Sequence, residues 1–230
     1  VIASLAGATS DPIHYPVETR TGGFGAAAGL ARYLNEKGVD LIVNASHPFA
    51  SVMSANAAHA GKATGTPLLR LLREPWQPAE GDRWLDVAGM ADAIAAVPDG
   101  ARVFFATGRG SVDQIAAVGS RNGVWGAIRL IDPPDQCFPL KHGEFIQARP
   151  PFRVEEELAL MQRLNISHLV TKNAGGASGM AKLEAARKLG IKVIAINRPR
   201  QPDGQTTVAT QQEVMALVFD LMSQSGPDKA

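Results

Sequence analysis

Cysteine is almost absent from this chain: among 230 residues only Cys137 is present, so an internal disulfide and a multi-cysteine zinc site are both excluded. Net charge is equally scarce, with 23 Lys and Arg against 22 Asp and Glu for a formal +1. Such a balance leaves no overall field to hold a phosphate backbone, which argues against nucleic-acid binding and makes any anion site a local one. No apolar run approaches the roughly 18 residues of a membrane span. The opening VIASLAGATSD has no basic stretch ahead of its apolar residues, so no secretory leader is read and the chain is expected to be cytoplasmic, with no membrane partner. Several chemical signatures are missing too. His14, His47, His59, His142 and His168 lack metal-ligand spacing, Cys137 has no CxxC partner, and no G-x-S-x-G elbow supplies an acyl-transfer nucleophile. No metal is expected.

What is present is a folding pattern. Hydrophobic residues make up 45% of the chain, enough for a sizeable core. Apolar runs of strand length, VIASLAG (1–7), VDLIVNAS (39–46), TPLLRLLR (66–73), ARVFFATG (101–108), VWGAIRLI (124–131), SHLVTK (167–172) and KVIAINR (192–198), alternate with helical stretches near 25–37, 48–64, 89–97, 111–119, 153–164, 180–189 and 210–224. That alternation is the mark of an α/β fold with mainly parallel sheets. Helix starts are signalled by Ser111 with Gln114, by Thr210 with Glu213, by Pro48 at a first helical position and by the acidic turn Glu155, Glu156 and Glu157. Gly38, Gly65 and Gly190 read as stops. Met53, Met161, Met215 and Met222 read as core filler. Proline, glycine and charge gather between Glu74 and Gly100, which places a domain of residues 1–98 before a domain of residues 99–225, with a frayed tail at 226–230.

Ligands of open parallel sheets bind beyond the carboxyl ends of the strands. Four segments lie there. In Asn44-Ala45-Ser46-His47-Pro48-Phe49-Ala50, His47 either orients a ligand group or merely helps cap the following helix. In Ala106-Thr107-Gly108-Arg109-Gly110-Ser111, the glycines and the Arg109 fork suit a carboxylate or phosphate, or else form a tight turn with an exposed arginine. The segment Val170-Thr171-Lys172-Asn173-Ala174-Gly175-Gly176-Ala177-Ser178-Gly179, with Lys182 after it, reads as an anion loop in preference to a flexible connector; Lys172 precedes the glycines, so it is not a Walker A motif. Asn197-Arg198-Pro199-Arg200 reads as solvated charge. The turn Gly22-Gly23-Phe24-Gly25 either covers a dinucleotide groove or makes a sharp bend.

In order and spacing, SLAG (4–7), GGFG (22–25), ASHPFA (45–50), PLLRLLREPW (67–76), TGR (107–109), VTKNAGG (170–176) and K-x-x-AAR-x-LGI (182–191) resemble the precorrin-6A reductases of cobalamin synthesis. The resemblance spans nearly the whole chain. It implies two Rossmann-like domains with a ligand cleft between them, and an enzyme that uses NADPH to reduce one double bond of a polycarboxylate tetrapyrrole; the chain is expected to act as a monomer. Carried over by motif, the cofactor contacts are Ser4, Gly7, Gly22, Gly23, Phe24, Gly25, Ser46, His47 and Pro48. Substrate contacts are Thr107, Gly108, Arg109, Lys172, Asn173, Gly175, Gly176 and Lys182, with Lys172 and His47 as catalytic candidates.

This chain departs from the family in three places. It begins after the family's first strand and glycine loop, it carries Ala8 where a basic residue is common, and it has Ser46 where threonine is common. Ser4 and Arg20 are then the candidates for the 2′-phosphate of NADPH. A non-catalytic two-domain module that clamps an anionic small molecule is the rival, with a sugar-phosphate transferase or isomerase as a third reading.

Overall fold

A central strand of a parallel sheet is covered on both faces and reads as a continuous apolar run, whereas an edge strand need not. That difference runs through the computed structural model, which describes residues 1–7, 14–120, 122–132 and 137–224. The chain opens with β1 (Ile2–Leu5), β2 (Glu18–Thr21), α1 (Ala26–Lys37), β3 (Ile42–Asn44), α2 (Ser51–Thr64) and β4 (Leu68–Leu71). It continues with β5 (Arg83–Val87), α3 (Met90–Ala95), β6 (Arg102–Ala106), α4 (Val112–Ile115), β7 (Trp125–Leu130), β8 (Gly143–Gln147), α5 (Val154–Arg163), β9 (His168–Lys172), α6 (Met180–Lys188) and β10 (Lys192–Ile196). It closes with β11 (Thr206–Val208) and α7 (Gln211–Gln224). Every strand pair is parallel, so the α/β class read from the sequence holds. No helix among the described residues is long and apolar enough to cross a membrane.

Four strands have no counterpart among the apolar runs: β2, β5, β8 and β11. Each is an edge strand, of the pair β1-β2, of the six-stranded sheet β5-β10-β9-β6-β7-β8, or of the three-stranded sheet β11-β4-β3. Their polar composition, ETRT in β2 and TTV in β11, follows from half-solvated positions.

The same edge strands move the domain boundary. The described residues form two compact units, one of those up to Glu74 together with those from Pro199, the other of those within Pro75–Arg198. The division at 98/99 expected from composition is therefore corrected. Pairing of β5 with β10 (Trp84 beside Val193) draws residues from Pro75 into the second unit. Pairing of β11 with β4 (Thr207 beside Arg70) draws the last helix back to the first. The tail at 226–230 lies outside the described residues.

The helix signals hold in part. Thr210 and Glu213 form a reciprocal cap (Thr210 N–H to Glu213 Oε2 at 3.0 Å, Glu213 N–H to Thr210 Oγ1 at 3.2 Å). Ser111 instead donates its hydroxyl to Thr107 O at 3.3 Å, and α2 starts at Ser51, after Pro48. Met215 and Met222 on α7 are 49% and 68% exposed, so only Met161 of that group is deep core.

In the second unit β6 and β9 carry fully buried Phe104, Phe105, Leu169 and Val170, of which Phe104 and Leu169 pack with Met161, Leu183 and Ala186 of α5 and α6. In the first, Leu30, Leu34, Ala57 and Ala60 of α1 and α2 close on Leu68 of β4. Truncating Phe104→Ala should cost about 3 to 5 kcal/mol, since rigid neighbours cannot fill the space. Urea unfolding followed by tryptophan fluorescence checks it.

Candidate functional site

Strand order selects one position in the six-stranded sheet. From β6 the chain proceeds outward through β7 and β8, then returns to place β9 and β10 on the other side of β6. The β6/β9 seam is therefore a topological switch point, where two adjacent strand ends send their loops apart and leave a crevice. Ala106 pairs with Thr171, so Thr107 and Lys172 emerge side by side.

The two loops share one backbone design. Gly108 (φ 79°, ψ 171°) and Gly176 (φ 79°, ψ 165°) each lead into a three-residue 3-10 turn, Arg109–Ser111 and Ala177–Gly179, and then into α4 and α6. Only glycine occupies that region of φ and ψ without strain, so each loop entry requires it. Thr107 is 3% exposed, and its Oγ1 has no hydrogen-bond partner among the described residues, an unmet donor and acceptor at the seam. Arg109 and Gly108 are exposed, Gly175 is buried, and Lys172 is half-buried. Burial pushes the Lys172 ammonium below the ordinary lysine range.

The loop from Asn173 to Gly179 is held from behind. The Asn173 side chain accepts from Trp76 N–H at 2.8 Å and donates to Trp76 O at 3.0 Å, while the Trp76 indole N–H donates to Gly176 O at 2.8 Å. Arg198 donates to Asn173 O at 2.9 Å and Ala174 O at 3.0 Å. Lys182 donates to Gly179 O at 3.0 Å, with its ammonium 4.7 Å from the centroid of a Trp76 ring. Gly179 has no room for a side chain, because a Cβ there would meet the indole at 2.5 Å. Asn173 and Lys182, both candidate substrate contacts, thus bond the Trp76 backbone and Gly179 O respectively, and Arg198, read as solvated charge, bonds the loop as well. Arg200 remains on the surface, paired with Asp203. Beside the loop, Trp76, Trp84, Asp86, Asn173, Asn197 and Arg198 contribute to a pocket of about 360 Å³.

The first unit gathers its expected residues into two groups. Ser4 on β1 and Arg20 on β2 are register partners, and Arg20 donates to Ser4 Oγ at 3.0 Å, Gly22 O at 2.9 Å and Gly23 O at 3.1 Å. The guanidinium also lies 3.8 Å from the centroid of Phe24. Gly22, Gly23 and Gly25 each face open space where a Cβ would stand. Gly7 follows β1 and lies close to Thr21. Ala8 lies outside the described residues.

The second group is the loop after β3. Ser46 is half-buried, Pro48 buried and His47 exposed. His47 Nδ1 accepts from Phe49 N–H at 3.2 Å, so the ring braces its own turn. Ser46 and Pro48 also help line a groove of about 330 Å³ with Leu71, Arg73 and Thr210.

Sequence reasoning passed over Trp76, Arg70 and the ion pair of Arg129 with Glu157 (2.8 Å). Nothing in local spacing marks them, since their partners are distant in sequence.

Burial, reinforced by the Arg129 charge and opposed by Glu157, pushes Lys182 down from 10.5 to about 8. A lysine whose pKa falls on folding contributes stability that is complete above about 10.5 and is lost as the pH falls through about 8. Stability should therefore rise with pH across that window, and Lys182→Met should flatten the rise. Urea midpoints of both proteins between those pH values check this; equal slopes would contradict the burial of the amine.

The precorrin-6x reductase CbiJ/CobK family model matches residues 1–218. A precorrin-6A reductase of Rhodobacter capsulatus is 43% identical over 220 residues, which cover 95% of this chain and 86% of that protein. One from Rhodococcus erythropolis is 46% identical over 209 residues, covering 90% and 82%. A solved structure, a CobK precorrin-6A reductase, superposes with a TM-score of 0.90 at 42% identity, covering 96% of this chain and 86% of the other. The chain belongs to the CbiJ/CobK precorrin-6x reductase family and, with it, is a reductase of cobalamin biosynthesis.

Proposed function

We propose that the chain reduces one double bond of the precorrin-6A macrocycle with electrons from NADPH, in the cytoplasm, with the cofactor on the first unit and the macrocycle at the β6/β9 seam of the second. The observation that carries the substrate half is the pair of matching glycine loops beside the buried, unmet Thr107 hydroxyl. A polycarboxylate suits that place. Arg109 offers a planar fork and Lys172 an ammonium, and charge-assisted bonds to carboxylates are the strong ones.

The residues of the first unit fit a phosphorylated dinucleotide. Arg20 and Ser4 offer a guanidinium and a hydroxyl side by side near the carboxyl ends of β2 and β1, and an arginine near a strand end accommodates a ribose 2′-phosphate. The turn at Gly22, Gly23 and Gly25 leaves open the space that side chains would fill. When bound, NADPH supplies the hydride, and a proton completes the reduction at the neighbouring carbon.

The chain's own task is to bind and orient. In this reading His47 fixes its loop against the nicotinamide half, and its brace on Phe49 N–H favours orientation over acid catalysis. Lys172 binds a substrate carboxylate, with solvent or a substrate carboxyl delivering the proton. Burial lowers the pKa of its ammonium, which eases the loss of a proton from it.

The deciding experiment follows NADPH oxidation and the macrocycle spectrum together. Coupled changes are expected; binding of either ligand without coupled oxidation would favour the non-catalytic module.

Two sets of variants divide the roles. Arg109→Ala and Lys172→Ala should each weaken macrocycle binding by about tenfold or more while sparing NADPH, given about 1.5 to 3 kcal/mol for a hydrogen bond to a charged group. Equal losses for both ligands, measured by titration, would contradict this division. Arg20→Leu should raise the KM for NADPH more than that for NADH, both of which share the turn that Arg20 braces; an unchanged preference would remove Arg20 from phosphate recognition.

A further inference from the structure

Arg70 stands at the middle of β4, the central strand of its sheet, and is 0% exposed. Its register partner on β3 is Asn44, the last residue before the Ser46-His47-Pro48 loop. From there the guanidinium reaches across the carboxyl end of β3. Nη1 donates to Asn44 O at 2.8 Å, Asn44 Oδ1 at 3.1 Å and Ser46 O at 2.9 Å. Nη2 reaches His47 O at 3.5 Å, and Nε reaches Gln201 Oε1 at 3.4 Å. Gln201 in turn donates to Pro48 O at 3.4 Å and Pro199 O at 3.1 Å. Carbonyl oxygens of four loop residues, Asn44, Ser46, His47 and Pro48, are thereby drawn inward onto two side chains.

Asn44 completes the arrangement. Its Oδ1, fixed by Arg70, accepts from Ser46 N–H at 3.1 Å and Ser46 Oγ at 2.7 Å, while its amide donates to Ser54 Oγ on α2 at 3.2 Å. One planar fork therefore sets both the backbone and, through Asn44, the Ser46 hydroxyl. A lysine in its place has a single nitrogen and cannot span acceptors from Asn44 to His47.

We propose that Arg70 is the positioning residue of the cofactor loop: by turning these carbonyl oxygens inward it holds Ser46 and His47 in the orientation that receives the dinucleotide. Arg70 itself touches no ligand. The inference rests on the assignment of this loop to NADPH made above.

The test compares the purified parent protein with Arg70→Lys, Arg70→Met and the milder Gln201→Ala. Amide hydrogen exchange over residues 44–50 of the ligand-free protein reads the loop directly, without any cofactor. NADPH and macrocycle affinities, read by fluorescence titration, and the kinetic constants complete the set. Exchange over 44–50 is expected to accelerate at least severalfold in both Arg70 variants, with NADPH bound about tenfold more weakly and macrocycle affinity retained; the fold-change corresponds to loss of a hydrogen bond to a charged group. Gln201→Ala, which leaves the guanidinium in place, is expected to shift both readouts in the same direction by less, and covers the case in which Arg70→Met does not fold. A purely structural role would lower stability without separating the two ligands.

Unchanged exchange over 44–50 in Arg70→Lys and Gln201→Ala overturns the inference, as does an equal loss for NADPH and macrocycle. His47→Ala separates this failure from failure of the underlying assignment. If His47→Ala weakens NADPH binding and the Arg70 variants do not, Arg70 has no positioning role. If neither weakens it, the loop is not the cofactor's, and the inference falls with that reading.

Discussion

A carbonyl oxygen withdrawn from water needs a donor, and the loops at the strand ends of this protein obtain theirs from behind. Arg70 serves Asn44, Ser46 and His47; Arg20 serves Gly22 and Gly23; Arg198 serves Asn173 and Ala174. Lys182 and the Trp76 indole do the same for Gly179 and Gly176. The loops after β2, β3 and β9, which the sequence marks as ligand contacts, are each built against a cation or an indole N–H. Its shape is then fixed before a ligand arrives, and preorganised donors are worth most when nothing has to reorganise at binding.

The choice of donor follows from geometry and charge. Where several acceptors fan out in one plane, as around Arg70, the residue is arginine; where a single carbonyl closes a loop, as at Gly179, it is lysine. Burying these groups is costly, and the Lys182 amine shows the cost in its lowered pKa. Glu157, 2% exposed and bonded to Arg129, tempers it, while Arg129 stacks on Phe152 and Phe104. Removing either member of that pair would strand a buried charge, so the cluster beneath the second loop stands or falls together.

Much of the molecule was legible in the chain. The apolar runs that become central strands announced themselves because a strand covered on both faces tolerates few polar residues. The edge strands β2, β5, β8 and β11 did not, because half their surface meets water and their pairing partners are far away in sequence. The same blindness placed the domain boundary at 98/99, since no local pattern records that β5 joins β10 or that β11 joins β4. In the site, the glycines at 108 and 176 were visible because a backbone conformation closed to other residues leaves a mark in the sequence. The roles of Asn173, Lys182 and Arg198 were not, because a lysine beside a glycine loop looks the same whether it faces ligand or supports the loop.

By itself, the sequence determined the alternation of strand and helix, the loops that end the strands, and the family to which their order belongs. Those properties live in local composition and spacing. Tertiary structure alone decided which strands are neighbours, that the β6/β9 seam is the switch point, and that Arg70, Trp76 and Arg198 face inward. The inward placements depend on contacts between residues 23 to 131 positions apart, such as Trp76 with Gly176 and Arg70 with Gln201, and only the folded chain brings those groups within hydrogen-bond reach.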